Sequence, residues 1–219
     1  MRQTLHLIRH GQIDSNVRGV LDTAVPGPPL NQTGLTEAER LVTRLDSVPL
    51  DALYTSTALR TQMTAQPLAR TRGLEPQVRD GLKEIWAGEL ELRSDRAAQL
   101  EYHRVITAWL LGDLTVQMGG GTTGHEVLDR FDSVVQEITA AGPEHTAIVA
   151  HGAVILFWST MRAPNLTGAI IEQHPPINTG VVTLVPAGPQ GARLISPDSA
   201  AGVRPDWRAL SWMGQDLPG

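Results

Sequence analysis

The sequence predicts an α/β fold, a three-layer sandwich with a mainly parallel central sheet. Short apolar runs typical of buried strands alternate along the chain with longer segments whose apolar residues recur at helical spacing. Two of the runs, 5–8 and 147–150, are followed within two residues by a His-Gly step. Because ligands bind at the carboxyl ends of the strands in open α/β sheets, we expect helices on both faces and a site at that edge.

Each element follows from its local pattern. Residues 12–33 are polar and rich in Gly and Pro, which favours a loop rather than a regular element. Thr33-Gly34 leads into the first helix, Ser56 or Thr57 can cap the second, and Gly73 ends it. The predicted strands are 5–8, 51–55, 75–78, 147–150 and, as the last strand, 181–185. The predicted helices are 35–45, 58–72, 96–111, 124–141 and 153–161.

The chain is expected to form a single domain over residues 1–219. Residues 86–123 have little strand signal, so we interpret them as an insertion or lid over the catalytic edge of the sheet. The tail after Pro186 is rich in Pro and Gly and has no defined pattern, although Trp207 and Trp212 could fasten it to the body.

Composition narrows the class of protein. The 219-residue chain has a formal net charge of −5, which argues against general attraction to nucleic acid or an anionic membrane. It contains no cysteine, which excludes disulfides and thiolate catalysis. We expect no signal peptide and no membrane span, because the N-terminus lacks the basic and apolar regions of a leader and no apolar run reaches about 18 residues. A cytoplasmic location is the expectation that follows.

The strand ends carry a set of residues suited to chemistry on a phosphate ester. His10 can act as a nucleophile if its attacking nitrogen is deprotonated. Arg9 and Arg60 can hold phosphate oxygens in their planar guanidinium forks, and amides at the start of the helix that carries Arg60 would add donors. His151 would hydrogen-bond the phosphoryl oxygens as charge develops. Glu84 is the candidate acid that protonates the leaving oxygen and then activates water.

These residues lie in segments that resemble motifs of the histidine phosphatase superfamily, in the branch of cofactor-dependent phosphoglycerate mutases and their phosphatase relatives. The resemblance extends over about residues 4–185, and its motifs occur in the same order. The matching segments are Leu7-Ile8-Arg9-His10-Gly11-Gln12 with Asn16, Pro29-Leu30-Asn31-Gln32-Thr33-Gly34, the segment from Ser56 to Ala65, Leu82-Lys83-Glu84 with Gly88, Val149-Ala150-His151-Gly152, and Asn178 before the predicted last strand.

The resemblance implies a phosphoglycerate mutase-like fold and a phosphatase, which we expect to be a histidine acid-type phosphoric monoester hydrolase. It implies that His10 is phosphorylated, that Arg9, Arg60 and His151 form the phosphate pocket, and that Glu84 is the acid and base. Gly11, Asn16 and Gly152 are the further expected phosphate-binding residues. The implied substrate is a small phosphorylated metabolite, and no metal or other cofactor is expected. We expect no nucleic acid or membrane partner, and a homodimer is possible.

The chain departs from the family pattern in segments that face the substrate. After Glu84 the family tends to read Gly-x-Trp-Glu-Gly, whereas this chain has Gly88-Glu89-Leu90-Glu91-Leu92. Before the helix 124–141 the family often has Gly-Glu-Ser, and here the segment is Gly121-Thr122-Thr123. Trp86 and Trp109 are either an apolar wall for the substrate or core residues.

Three alternatives to the hydrolase remain. The first is a mutase that moves phosphate between hydroxyls of one substrate, which is disfavoured because 89–123 has no excess of basic residues. The second is a non-catalytic phospho-ligand binding module, which would be expected to lack His10 or Glu84. The third is a metal site made by His6, His10, His103 and His151. Residues four apart on a strand lie about 13–14 Å apart, which is too far for His6 and His10 to share one ion.

Overall fold

The computed structural model describes residues 3–188 and 207–217. Its strands and helices confirm the predicted alternation, with ends that differ from the predicted ones by a few residues. The strands are β1 Thr4–Arg9, β2 Ala52–Thr55, β3 Gln77–Val78, β4 His145–Ala150, β5 Val181–Pro186, β6 Trp207–Trp212 and β7 Gln215–Asp216. The helices are α1 Asp14–Arg18, α2 Gln32–Arg44, α3 Leu59–Arg72, α4 Arg96–Leu110, α5 Gly124–Ala141, α6 Gly152–Arg162 and α7 Gly168–Gln173.

The seven described strands form one sheet in the order β3-β2-β4-β1-β5-β6-β7. The first four strands of this order are parallel, and β5, β6 and β7 extend the sheet with antiparallel pairs. Strand β1 lies beside β4 with Arg9 opposite Ala150, so these two strands end at the same level. The parallel part of the sheet therefore places both His-Gly steps at one edge.

Helices cover both faces of the sheet, which confirms the three-layer arrangement. Alternate residues of β1 face opposite sides, as strand geometry requires. Leu5 and Leu7 belong to a large apolar cluster with residues of α4, α5 and α6, whereas Ile8 packs with residues of α2 and α3. Strand β4 is buried on both sides, which explains its uninterrupted apolar sequence.

Two of the predictions were wrong in part. Residues 12–33 are not wholly irregular, because α1 lies within them and α2 begins at Gln32, where the Asn31 side chain accepts a hydrogen bond from the Gly34 amide. Strand β5 is not the last strand, since β6 and β7 follow it. Residues 189–206 lie outside the described part, but Trp207 and Trp212 are buried in the main core, as expected of residues that fasten the tail.

The segment 86–123 consists of a short 3-10 helix at Gly88–Leu90, the helix α4 and a return through an isolated bridge between Gln117 and Thr123. Helix α4 is packed onto the body of the molecule through its buried face, where Trp109 lies against Phe157 of α6 at a ring separation of 5.2 Å. Among the described residues, no helix combines the length and apolarity needed to cross a bilayer.

Candidate active site

Three neighbouring parallel strands deliver the candidate residues to one edge of the sheet. His10 follows β1, His151 follows β4, and Ser56 follows β2 just before the helix that carries Arg60. The rings of His10 and His151 lie 5.3 Å apart between centroids, at an interplanar angle of 65°. The structure thus brings together the residues that the sequence predicted at this edge.

His10 is held as a neutral imidazole with its Nε2 atom free to attack. Its Nδ1 atom lies 2.7 Å from the Gly11 carbonyl oxygen. Because a carbonyl only accepts, Nδ1 carries the proton and the lone pair is on Nε2. Burial, followed by the charges of Arg60 and Arg9, holds the pKa of His10 well below its ordinary value. The ring is therefore neutral at neutral pH, with an unprotonated Nε2.

Arg9 and Arg60 each have one buried donor that no described residue uses. Arg9 Nε and Arg60 Nη1 are buried and have no hydrogen-bond partner among the described residues. A buried donor without a partner costs about 1–3 kcal/mol, so two of them on guanidinium groups are well suited to an anion. Burial lowers the pKa of both arginines, and the charge of Glu84 opposes that shift.

Glycines allow the chain to approach these side chains closely. Gly27 has φ 63°, and a Cβ there would overlap Arg60 Nη1. At Gly152 a Cβ would lie 3.1 Å from Arg9 Nε. Gly11 and Gly34 bring two backbone segments together, since a Cβ at Gly11 would lie 2.7 Å from the Gly34 carbonyl oxygen. The positions of the two arginines and of the chain after His10 therefore depend on glycines.

His151 has partners other than an anion in this structure. Its Nδ1 accepts from Arg60 Nε at 3.3 Å, which leaves the proton on Nε2, 2.8 Å from the Ser56 hydroxyl. Burial, then Arg60 and His10, holds the pKa of His151 well below its ordinary value. A hydrogen bond from His151 Nδ1 to a phosphoryl oxygen would need a proton on Nδ1, because Nδ1 is an acceptor here and Nε2–H is directed at Ser56.

Glu84 is held by the first turn of α6. Its carboxylate accepts hydrogen bonds from the amides of Ala153 and Val154, at 3.1 and 2.9 Å, and from Ile85 at 2.9 Å. A helix N-terminus favours such a negative partner. At the start of α3, by contrast, the amides of Ala58, Leu59 and Thr61 are bound within the protein, to Ser56 Oγ and to the carbonyl oxygens of Pro26 and Ala58.

Further hydrogen bonds hold the chain after His10, residues 10–16. Asn178 Nδ2 donates to the His10 carbonyl at 3.0 Å and to Asn16 Oδ1 at 3.1 Å. Asn16 Oδ1 also accepts from the Ile13 amide, so two donors fix the orientation of its side chain. The Thr64 hydroxyl accepts from the Gly11 amide at 2.9 Å. The motifs signalled these residues, but only the structure reveals these contacts.

Sequence reasoning missed two residues that hold the Glu84 segment. Arg130 on α5 donates to the Glu84 carbonyl, and Tyr102 on α4 donates to the Ile85 carbonyl at 2.9 Å. Neither lies in a segment that the motif comparison singled out, and nothing in the local pattern of either helix indicates the contact.

The residues at which the chain departs from the family pattern, 86–92 and 121–123, have contacts of their own. Glu91 accepts from the amide and hydroxyl of Thr23, and Leu92 has φ 61°, a conformation that favours glycine. Trp86 is 44% exposed, and its ring backs onto Gly121. Trp109 is fully buried in the core, so it is not a pocket wall.

The described residues include no group of three or more His, Cys, Asp or Glu side chains that could hold a metal ion. The four histidines of the metal alternative are not gathered in one place. His6 stacks on His145 at 5.7 Å between centroids, and His103 lies on the exposed side of α4.

Comparison with known proteins identifies the family. A family model described as the histidine phosphatase superfamily (branch 1) matches residues 5–192. The adenosylcobalamin/α-ribazole phosphatase of Salmonella typhimurium is 30% identical over 77% of this chain and 86% of its own length. The PE-PGRS family protein PE_PGRS11 of Mycobacterium tuberculosis is 32% identical over 96% of this chain, which spans only 36% of that longer protein.

A solved structure of a mycobacterial glucosyl-3-phosphoglycerate phosphatase, in complex with VO3, has the same fold, with a TM-score of 0.74, 23% identity and coverage of 96% of this chain and 98% of that one. Histidine acid-type phosphatases, the narrower label expected from the sequence, are a different named class. The fold, the paired strand-end histidines and the family match agree: this chain belongs to the histidine phosphatase superfamily, branch 1.

Proposed function

We propose that this protein is a phosphomonoester hydrolase that acts through a phosphohistidine intermediate on a small phosphorylated metabolite. One observation carries the proposal: the neutral His10 ring, with its lone pair on Nε2, lies near the charges of Arg60 and Arg9, and the buried atoms Arg60 Nη1 and Arg9 Nε have no partner among the described residues. An uncharged nucleophile next to unused cationic donors suits attack on a phosphate ester.

The proposed reaction has two displacements. Nε2 of His10 attacks phosphorus, the ester P–O bond breaks, and Glu84 in its acid form gives its proton to the leaving oxygen. Glu84, now a carboxylate, then removes a proton from water, which attacks phosphorus and breaks the P–N bond. Arg9, Arg60 and His151 hold the phosphoryl oxygens in both steps, and Gly11, Asn16 and Gly152 complete the pocket.

The relatives support a small substrate. Those named for function include α-ribazole phosphatases and phosphoserine phosphatases, whose names refer to small phosphorylated molecules. We further propose that residues 1–219 act as one domain in which 86–123 is a lid over the site. A cytoplasmic location and a homodimer stay predictions.

The first test is for the covalent intermediate. Radioactive substrate and a rapid quench should give label on the protein that is lost in acid and kept in alkali, as for phosphohistidine. His10→Ala should give no label and no turnover. His103→Ala, at an exposed position on α4, is the matched control and should label like the parent protein. Full phosphatase activity in His10→Ala would refute the proposal.

The second test separates the acid from the phosphate pocket. Glu84→Gln should lower kcat/KM for alkyl phosphates by about 10²-fold or more, the range of a general acid. It should spare kcat/KM for activated aryl phosphates, whose leaving groups need little protonation, because kcat/KM does not include the later attack of water. Arg60→Ala should instead weaken inhibition by vanadate and by inorganic phosphate. Equal losses of kcat/KM in Glu84→Gln on both kinds of ester would remove Glu84 from the acid role.

A mutase would need a second anion-binding site for its substrate, and the arginines of 89–123 do not favour one. Two of the arginines in 89–123 are already paired with carboxylates on the surface: Arg93 with Asp95 and Arg104 with Glu101, each at 2.8 Å. With 3-phosphoglycerate and a bisphosphoglycerate primer, we expect phosphate release from the best ester to far exceed mutase flux. Efficient interconversion of the two monophosphoglycerates would favour the mutase instead.

A further inference from the structure

Arg130 on α5 is a partly buried cation that the proposed reaction does not use. Its guanidinium donates to three main-chain carbonyls of one short segment: Nη1 to Gly81 at 2.7 Å and to Lys83 at 2.6 Å, and Nη2 to Glu84 at 3.1 Å. Burial lowers its pKa to about 10, with the charges of Glu84 and Asp80 opposing the shift. The side chain is therefore charged at neutral pH, and it binds the main chain on both sides of Lys83.

Helix α5 and residues 81–84 are in close contact at Gly81. A Cβ on Gly81 would lie 2.5 Å from the Arg130 carbonyl oxygen and 2.8 Å from Val134 Cγ2. Helix α5 therefore contacts residues 81–84 both through its backbone at Gly81 and through the Arg130 guanidinium at Lys83 and Glu84. We infer that these contacts determine where the main chain of Glu84 lies.

A second helix holds the other end of the same residue. The Glu84 carboxylate is bound by the Ala153 and Val154 amides of α6, while its carbonyl is bound by Arg130 of α5. Helix α6 begins directly after His151. Glu84 is therefore fixed at both ends relative to the sheet edge.

We propose that Arg130 is a positioning residue for Glu84, which fixes the main chain from which the acid projects toward the leaving oxygen. This inference rests on the proposed acid role of Glu84. Proton transfer requires the acid within hydrogen-bond reach of the oxygen, and small displacements reduce it strongly. The hydrogen bonds of Arg130 go only to residues 81–84. Its charge is a lesser cause of the lowered pKa of His151, after burial and the charges of Arg60 and His10. Loss of Arg130 should therefore act mainly on the leaving group.

The test uses Arg130→Met, which keeps most of the side-chain length and removes the donors, and Arg130→Lys, which restores one charged donor. Val134→Ala is the matched control, because Val134 lies one turn away on α5 and packs against Gly81, but its side chain has no donor for the Glu84 carbonyl. The substrates are a series of phosphate monoesters from aryl to alkyl leaving groups, and inorganic phosphate serves as the inhibitor.

Arg130→Met should lower kcat/KM for alkyl phosphates by about 10- to 100-fold, part of the contribution of a general acid. It should leave kcat/KM for aryl phosphates and the inhibition constant of inorganic phosphate within about threefold of the parent values. Arg130→Lys should recover part of the loss, and Val134→Ala should have the parent ratio of alkyl to aryl rates. A parent ratio in folded Arg130→Met, or the same altered ratio in Val134→Ala, would overturn the inference.

If Arg130→Met does not fold, Arg130→Lys decides by the same ratio: a lowered ratio supports the inference and a parent ratio refutes it. Glu84→Gln, measured in parallel, separates the positioning role of Arg130 from the acid role of Glu84. If Glu84→Gln shows the leaving-group effect and neither Arg130 variant does, only the role of Arg130 fails. If Glu84→Gln shows none, the acid role of Glu84 fails, and the inference about Arg130 fails with it.

Discussion

His6 makes the folded protein sensitive to acid at a point remote from the catalytic chemistry. It lies in β1, its ring stacks on His145 with Nε2 3.4 Å from His145 Nδ1, and Thr183 lies 3.4 Å from its Nδ1. Burial, followed by the charge of His145, lowers the pKa of His6 from 6.5 to about 4. The unfolded chain therefore binds a proton at His6 at a higher pH than the folded chain does.

The sign and size of the effect follow from linkage. Stability is lost as pH falls below the unfolded pKa of 6.5, and the loss is complete below the folded pKa of about 4. At about 1.4 kcal/mol per pKa unit, the whole loss is about 3 kcal/mol. Between about pH 7.5 and about pH 5, the part that urea titration can follow, it is about 2 kcal/mol.

We expect His6→Leu to remove this part of the pH dependence, because leucine fills the buried position without binding a proton. Urea unfolding followed by tryptophan fluorescence, at several values between about pH 7.5 and pH 5, gives the free energy of unfolding of both proteins. The difference between them should change by about 2 kcal/mol in favour of the variant as pH falls. Two parallel curves would refute the assigned pKa of His6.

Three further outcomes are expected. Gly27→Ala should raise the inhibition constant of inorganic phosphate by about tenfold, equivalent to about 1.4 kcal/mol, because its Cβ would displace Arg60 Nη1; unchanged inhibition would contradict that packing. Leu92→Asn should raise the free energy of unfolding by about 1 kcal/mol in urea titrations, because asparagine tolerates φ 61° better than leucine does; a loss of stability would mean that the leucine side chain has a packing role. Activity should persist in excess EDTA, since Arg9 and Arg60 supply the positive charge at the phosphate, and a strict metal requirement would overturn that pocket.

The site residues could be predicted because their placement depends on local patterns. A buried strand that ends before His10, and another before His151, determines where both rings lie as soon as the strands are adjacent and parallel. What the histidines bond to could not be predicted, because the contacts from His151 to Ser56 and Arg60 join segments about ninety residues apart.

The missed elements had weak or distant signals. Helix α1 has five residues, too few for an apolar stripe, and it ends at Gly19 in a left-handed conformation. Strand β6 has alternating burial through Trp207 and Ala209, but it pairs with β5 across an intervening stretch of some twenty residues. Local reasoning assigned that tail no structure because its stability comes from the partner strand.

The contact between Gly11 and Gly34 closes the base of the loop that follows His10. The chain leaves His10 through Gly11 and returns at Gly34 to within backbone contact, and the Asn31 amide donates to the Gln12 carbonyl across the same junction. The two ends of the intervening loop are thus joined at its base. Replacements on the outward side of this loop can therefore change the surface near the site while His10 keeps its place, provided that Asn16 and Gly27, which contact the site residues, are retained.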